Sequence, residues 1–225
     1  HNILVQPAIG MNADSVAEYV INSCLSLLKK TLIINEETLK GNWPRSSIQT
    51  NELKGKTLGL IGFGYIAKKV LKLANVFGVK VITYDPFVSV EEADQFNVKK
   101  VTFDDILKLS DIISIHAPLN DKTIQMFNIK SFIKMKKKPI IINSSRGGVI
   151  NEEDLFLAYK KKYISGFALD VYENEPLNEA FYKKISKNMN CILTPHIAGI
   201  TKESNIRVSN FIIDQTNKFF NSFIN

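Results

Sequence analysis

The 225-residue chain predicts an α/β fold built on a doubly wound parallel sheet. Three observations carry that expectation. Short apolar runs such as "KTLGLIGFG", "DIISIHAP", "PIIINSS" and "ISGFALDVY" alternate with segments of helical period, and strands that alternate with helices form a parallel sheet covered on both faces. The runs show no apolar/polar alternation, as expected of strands buried on both sides. One run ends in glycines directly ahead of a helical segment, a turn that brings backbone close to whatever lies beyond the sheet.

The elements follow in order. "SVAEYVINSCLSLLKK" reads as a helix: Ser15 and Glu18 fit a capping box, and Val16, Val20 and Leu27 share one face. "KGNWPRSS" is a loop broken by Gly41 and Pro44. "KTLGLIGFG" is a buried strand, "YIAKKVLKLANVFG" a helix that stops at Gly78, and "VKVITYDP" a strand stopped by Pro86. A helical "SVEEADQF", a short "VKKV" and a helical "DDILKLS" come next. "DIISIHAP" and "PIIINSS" are further strands. "NEEDLFLAYKKKY" is a helix with Asn151 as N-cap and acids in its first turn. "ISGFALDVY" and "CILTPHI" add two strands. "TKESNIRVSNFIIDQTNKFFNSF" closes the chain as a helix, with Val208, Phe211, Ile212, Gln215 and Phe219 near one stripe. The total is about seven strands, the size of a doubly wound sheet.

Composition narrows the function classes. With 45% hydrophobic and 23% charged residues, the chain is an ordinary globular protein able to bury a core. No apolar run reaches the ~18 residues of a membrane span, and no signal segment is visible, so the expected location is cytoplasmic. Cys24 and Cys191 lie far apart without ligand spacing, which predicts free thiols and no metal site. Much of the +7 net charge comes from Lys134, Lys136, Lys137 and Lys138 and from Lys160, Lys161 and Lys162. These runs suit solvated helix ends, and no nucleic-acid module accompanies them.

The glycine turn is specific. Gly62-Phe63-Gly64-Tyr65-Ile66-Ala67 matches G-x-G-x-x-G/A between a strand and a helix, and Asp85 ends the second strand, which is the dinucleotide-binding context. Gly62 allows the tight turn, Gly64 lets backbone approach a pyrophosphate, and Ala67 allows close helix packing. The helix N-terminus offers N–H groups to phosphate. Asp85 accepts from ribose hydroxyls and repels a 2′-phosphate, which favours NAD over NADP.

Three further groups follow predicted strands, where ligands of open α/β sheets bind: Arg146 after "IIINSS", Glu175 after "FALDVY" and His196 after "CILTP". Each alone has a bland reading: a loop arginine, a surface glutamate, a satisfied core histidine. Beside a nicotinamide site they form a working set. A guanidinium grips a carboxylate in a planar fork. An imidazole moves a hydroxyl proton, and a carboxylate orients that imidazole and favours its charged form.

Through "NADSVAEY", "GNW", "ELKGKTLGLIGFGYIA", "YDP", "IHAPLN", "INSSRGGVINEEDL", "ALDVYENEP" and "LTPHIAG", the chain resembles the D-isomer-specific 2-hydroxyacid dehydrogenases, in family order over nearly its whole length. The resemblance implies a Rossmann NAD-binding domain with only a remnant of a second, substrate-binding lobe. It divides the chain into 1–40 (end of the lobe and connecting helix), 41–200 (NAD-binding domain) and 201–225 (a helix returning to the lobe). It implies Arg146 as the substrate-binding arginine, Glu175 as the partner of the histidine and His196 as the general acid/base. Asp170 would lie near the nicotinamide carboxamide, and Tyr65 and Ile66 against the pyrophosphate. Ala117, Pro118, Ser144, Ser145, Ala198 and Gly199 would line the same cleft. His116 is read as structural or cleft-lining. A homodimer through the nucleotide-binding domains, with the first helix contributing, is also implied, as is a small 2-hydroxy or 2-keto acid substrate (phosphoglycerate, glycerate/hydroxypyruvate or similar).

Two departures from the family pattern stand out. Tyr65 occupies a position where the family often has arginine, which predicts modest NAD affinity. The opening "HNILVQPAIGMNADSVAEY" resembles the segment just ahead of the connecting helix, so this form is expected to bind NAD and turn over poorly. The rival expectation is an NAD(H)-sensing binding protein, like the transcriptional corepressors that resemble the family.

Overall fold

The structure is a computed structural model that describes residues 5–185 and 189–224. The opening residues 1–4, counted into the first predicted segment, lie outside the described residues. The apolar runs fold as β1 (Thr57–Ile61), β2 (Lys80–Tyr84), β3 (Lys99–Lys100), β4 (Ile112–Ile115), β5 (Ile140–Asn143), β6 (Gly166–Leu169) and β7 (Cys191–Leu193). They form one sheet in the order β3-β2-β1-β4-β5-β6-β7, with every pairing parallel. The doubly wound fold is therefore as the sequence predicts. The order reverses between β1 and β4, and a ligand crevice is expected there, beyond the carboxyl ends of the strands.

Successive strand residues feed two apolar layers, because side chains alternate across a pleated sheet. Leu58 and Leu60 of β1, Ile112 of β4, Ile140 and Ile142 of β5 and Ala168 of β6 pack under α1 (Ala13–Lys29) and α3 (Tyr65–Val76). Ile61, Ile113, Ile115, Ile141, Phe167 and Leu169 face α5 (Phe103–Leu109) and α7 (Glu152–Lys160) on the other side. Gly59 is needed at the middle of β1, since a Cβ there would lie 2.3 Å from Ser110 Oγ and 2.9 Å from Ile106 Cγ2. Helix α4 (Val90–Asp94) links β2 to β3, and α9 (Lys202–Ile224) closes the chain. No described helix is long and apolar enough to cross a membrane.

Local rules explain most helix ends. Asn151 caps α7 by accepting from Asp154 N–H, and Gly78, at φ 67°, ends the α3 segment. The cap predicted at Ser15 is absent. Helix α1 starts at Ala13 with Asn12 as N-cap, and Ser15 is a buried interior residue whose hydroxyl lies 2.8 Å from Thr201 Oγ1 at the start of α9. A turn from Gly10 to Ala13 launches the helix earlier than the capping pattern implies. Three helices were not expected: α2 (Thr31–Leu39), α6 (Ile129–Ile133) and α8 (Glu179–Tyr182). Helix α2 buries no residue, so it leaves no apolar stripe to read.

Candidate active site

The glycine turn joins β1 to α3 with its backbone facing open space. Gly62 has φ 89°, and a Cβ on it would meet His116 O at 3.0 Å. A Cβ on Gly64 would meet nothing within 4 Å, so this is where a ligand can approach the main chain. Helix α3 starts without a side-chain cap, which leaves its first-turn N–H groups directed at that space. Asp85 ends β2 and locks the turn: Oδ2 accepts from Phe63 N–H and Oδ1 from Phe87 N–H, both at 2.8 Å. Asp85 also lines a cavity of about 440 Å³ that runs past Gly62, Gly64, Phe87, Ala117 and Pro118.

A second cavity of about 410 Å³ continues from His116, Ala117 and Pro118 past Ile66, Ser144, Ser145, Arg146, Asp170, His196, Ala198 and Gly199. The two together form a crevice across the switch point between β1 and β4. Ser144 Oγ is buried at its wall with no hydrogen-bond partner among the described residues, a donor left for a ligand. The unfilled space at Gly64, the uncapped α3 terminus, Asp85 and this orphaned hydroxyl together fit an NAD molecule.

The remaining predicted contacts separate by burial. Ala67 is fully buried and serves helix–sheet packing. Tyr65 is exposed, and its ring lies over Gly10, where a Cβ would sit 3.3 Å from Tyr65 Cγ. It borders neither cavity. His116 bridges the two cavities with Nε2 3.0 Å from Ser114 Oγ, and burial pushes its ring down to about 4. A ring kept neutral in this way suits the structural, cleft-lining reading.

The structure brings Arg146, Glu175 and His196 to one cavity of about 430 Å³ beside the crevice. His196 Nδ1 lies 2.8 Å from Glu175 Oε2. Glu175 Oε1 accepts from Tyr172 N–H at 3.0 Å. The hydrogen bond from His196, helped by the Tyr172 N–H and the Arg146 charge, holds the Glu175 carboxyl below the usual carboxylate range. His196 is exposed rather than a core residue. Its backbone is left-handed at φ 59°, an uncommon conformation for a residue with a Cβ and one held by surrounding contacts. Arg146 donates one Nη1 bond to Ser145 O at 2.6 Å, which leaves the rest of its fork for a ligand.

Asp170 does more than line the crevice. It is buried, and it accepts from Thr194 Oγ1 at 2.6 Å, Ile197 N–H at 2.9 Å and Ala198 N–H at 2.8 Å. It thereby staples the loop that carries His196 to the end of β6. Asn143 plays a similar part for the arginine turn, which sequence reasoning missed. Its Nδ2 donates to Arg146 O, and its Oδ1 accepts from Ser145 N–H and Oγ. The signal was a buried polar residue closing an otherwise apolar strand. Gly147 is equally constrained, since a Cβ would fall 1.8 Å from Tyr172 O. The Arg146 turn and the Glu175 turn are thus in direct backbone contact.

Comparison with known proteins gives consistent matches. The profile described as "D-isomer specific 2-hydroxyacid dehydrogenase, NAD binding domain" matches residues 21–198. The chain is 35% identical over 218 residues to an (S)-sulfolactate dehydrogenase of Chromohalobacter salexigens, covering 96% of this chain and 70% of that one. It is 38% identical over 212 residues to a D-3-phosphoglycerate dehydrogenase of Archaeoglobus fulgidus, covering 94% of this chain and 40% of that one. It superposes with a TM-score of 0.83 and 31% identity on the Aquifex aeolicus D-lactate dehydrogenase solved with NAD and lactic acid, covering 93% of this chain and 67% of that one. The chain therefore spans less than half of the Archaeoglobus protein and about two thirds of the other two.

Proposed function

Because the chain belongs to the D-isomer-specific 2-hydroxyacid dehydrogenase family, we propose that it interconverts a 2-keto acid and a D-2-hydroxy acid as an NAD-dependent oxidoreductase. Bound along the crevice, NAD(H) supplies or accepts the hydride. Arg146 holds the substrate carboxylate through the part of its fork that faces the cavity. Glu175 takes His196 Nδ1, so Nε2 is the nitrogen free to face substrate. In reduction, protonated His196 gives its Nε2 proton to the developing alkoxide. In oxidation, the neutral ring removes the hydroxyl proton. The carboxylate steadies the imidazolium and fixes the ring. The observation that carries this reading is the His196–Glu175 contact opening on the same cavity as Arg146. A sensor needs no such oriented proton donor.

The substrate proposed is phosphoglycerate, glycerate/hydroxypyruvate or a similar acid. The homodimer belongs to the same proposal. Helix α1 spends its apolar face on α3 and the sheet, whereas Leu32, Leu39 and Trp43 just after it are exposed and suit a contact between copies. So does the division into 1–40, 41–200 and 201–225, since exposed Ile206 and Ile213 on α9 suit a helix that packs against a substrate lobe. The experiment follows NADH consumption by the full natural chain against hydroxypyruvate, 3-phosphohydroxypyruvate, glyoxylate and pyruvate, with His196→Ala as control. Turnover of one acid that vanishes in the variant is expected. NADH binding without turnover of any acid would favour the sensor.

A further inference from the structure

His196 holds a left-handed backbone, and its N–H donates to a residue two places earlier, Thr194. Every polar atom of Thr194 is engaged. Its N–H donates to Leu169 O at 3.0 Å, the end of β6. Its carbonyl accepts from His196 N–H at 3.1 Å and shares the single Tyr172 O–H hydrogen, 2.9 Å away, with Leu169 O at 3.0 Å. Its hydroxyl lies 2.6 Å from Asp170 Oδ1 and 2.9 Å from Tyr19 Oη. A carboxylate only accepts, so the Thr194 hydrogen goes to Asp170 and Tyr19 must donate to Thr194 Oγ1. Both phenols are pushed above their ordinary range by burial and stay donors throughout the working pH range. Tyr19 lies in the middle of α1, and Tyr172 supplies the N–H that holds Glu175. The two phenols therefore grip Thr194 from opposite elements, one by its hydroxyl and one by its carbonyl.

We propose that Tyr19 and Tyr172 are positioning residues that act on His196 through Thr194. This rests on the acid/base role given to His196 above. Helix α1 thereby sets the direction in which the imidazole faces the cavity. A loop held this way keeps a short reach to substrate, and small misplacements of a reacting group are costly in rate.

The phenylalanine variants test this cleanly, because neither strips a buried group of all its partners. Without the Tyr19 hydroxyl, Thr194 Oγ1 still donates to Asp170. Without the Tyr172 hydroxyl, Leu169 O keeps Thr194 N–H and Thr194 O keeps His196 N–H. Tyr19→Phe, Tyr172→Phe and the double variant are made in the full natural chain beside His196→Ala. The single variants are expected to lower kcat about tenfold, with NADH Kd and Tm close to wild type. The double variant falls by less than the product, since both act through one residue. The histidine-ring NMR signal of His196 moves in each variant while that of His116 does not. Unchanged kcat with an unmoved His196 signal overturns the proposal. So does a fall in kcat accompanied by equal losses in NADH affinity and Tm, the mark of a purely structural role. Should wild type turn over no acid, the parent reading fails, and the His196 ring signal still decides whether the phenols hold the loop.

Discussion

Glu175 binds His196 Nδ1 with one carboxylate oxygen at 2.8 Å and Tyr172 N–H with the other at 3.0 Å. A glutamine has one acceptor oxygen; if that takes Tyr172 N–H, its amide nitrogen faces Nδ1 and can only donate, which favours the wrong imidazole tautomer. Glu175→Gln is expected to lower kcat about ten- to a hundredfold, less than the loss of the proton-transfer group itself, which contributes about 10²- to 10⁴-fold. NADH affinity should hold, because Glu175 borders neither cofactor cavity. The pH sign follows from the lowered carboxyl. The pair is intact above the ordinary carboxylate range and breaks only as pH falls below it, so wild-type activity at pH 5 should not be limited by Glu175. Steady-state rates and NADH fluorescence titration check both halves. A drop in NADH affinity equal to the drop in kcat would sink the assignment.

The two central glycines of the nucleotide strand and turn separate folding from binding. Gly64→Ala adds a methyl where nothing lies within 4 Å, so Tm should stay within a degree or two of wild type while NADH affinity falls at least tenfold. Gly59→Ala adds one that meets Ser110 Oγ at 2.3 Å, and overpacking of this kind costs about 1–3 kcal/mol. Thermal melts with and without NADH distinguish them: at a fixed NADH concentration, ligand stabilisation should shrink in the Gly64 variant. Full retention of NADH affinity there would show that the pyrophosphate does not approach that backbone.

The parts of the site that were legible in the sequence are those where chemistry demands one residue type at a fixed offset. Gly62, Gly64 and Asp85 are such positions: the turn needs φ 89° at Gly62 and open space at Gly64, and Asp85 accepts from Phe63 N–H within it. Arg146, Glu175 and His196 were legible as reactive types at strand ends. The Thr194 grip and the Asp170 staple were not, since they join residues such as Tyr19 and Thr194 that are 175 positions apart and no local pattern marks them. Ser15 misled for the opposite reason. Its spacing to Glu18 satisfies a local rule, but the hydroxyl's partner is Thr201. Tyr65 was read for the charge it lacks, while its ring finds Gly10.

Asp170 provides a test of the loop itself. Its carboxylate is the acceptor for two backbone N–H groups and the Thr194 hydroxyl. Asp170→Ala leaves those donors short of a partner in a buried place, and an unsatisfied buried group costs about 1–3 kcal/mol. Asp170→Asn keeps the volume and one acceptor, so it should lose less stability. Both should lose turnover, because His196 lies between the stapled residues. Urea denaturation ranks the two variants. Equal stability of Asp170→Ala and wild type would mean that the loop is held elsewhere.

His116 predicts how stability responds to acid. In the folded chain its ring is held down to about 4 from the ordinary 6.5 by burial. The unfolded chain therefore binds the proton first as pH falls. Above 6.5 neither state is protonated and His116 imposes no penalty. Between 6.5 and 4 the unfolded state gains, and below 4 the loss levels off. At about 1.4 kcal/mol per unit, the full loss is at most about 3.5 kcal/mol. It is reduced because the rim of the ring reaches the crevice. His116→Gln keeps a polar group near Ser114 and removes the titration. Denaturation midpoints at pH 7.5 and pH 4.5 should then differ less in the variant than in wild type. NADH bound in the crevice as proposed should restore part of the wild-type loss at pH 5. An identical pH slope in wild type and variant would place the acid sensitivity on other groups.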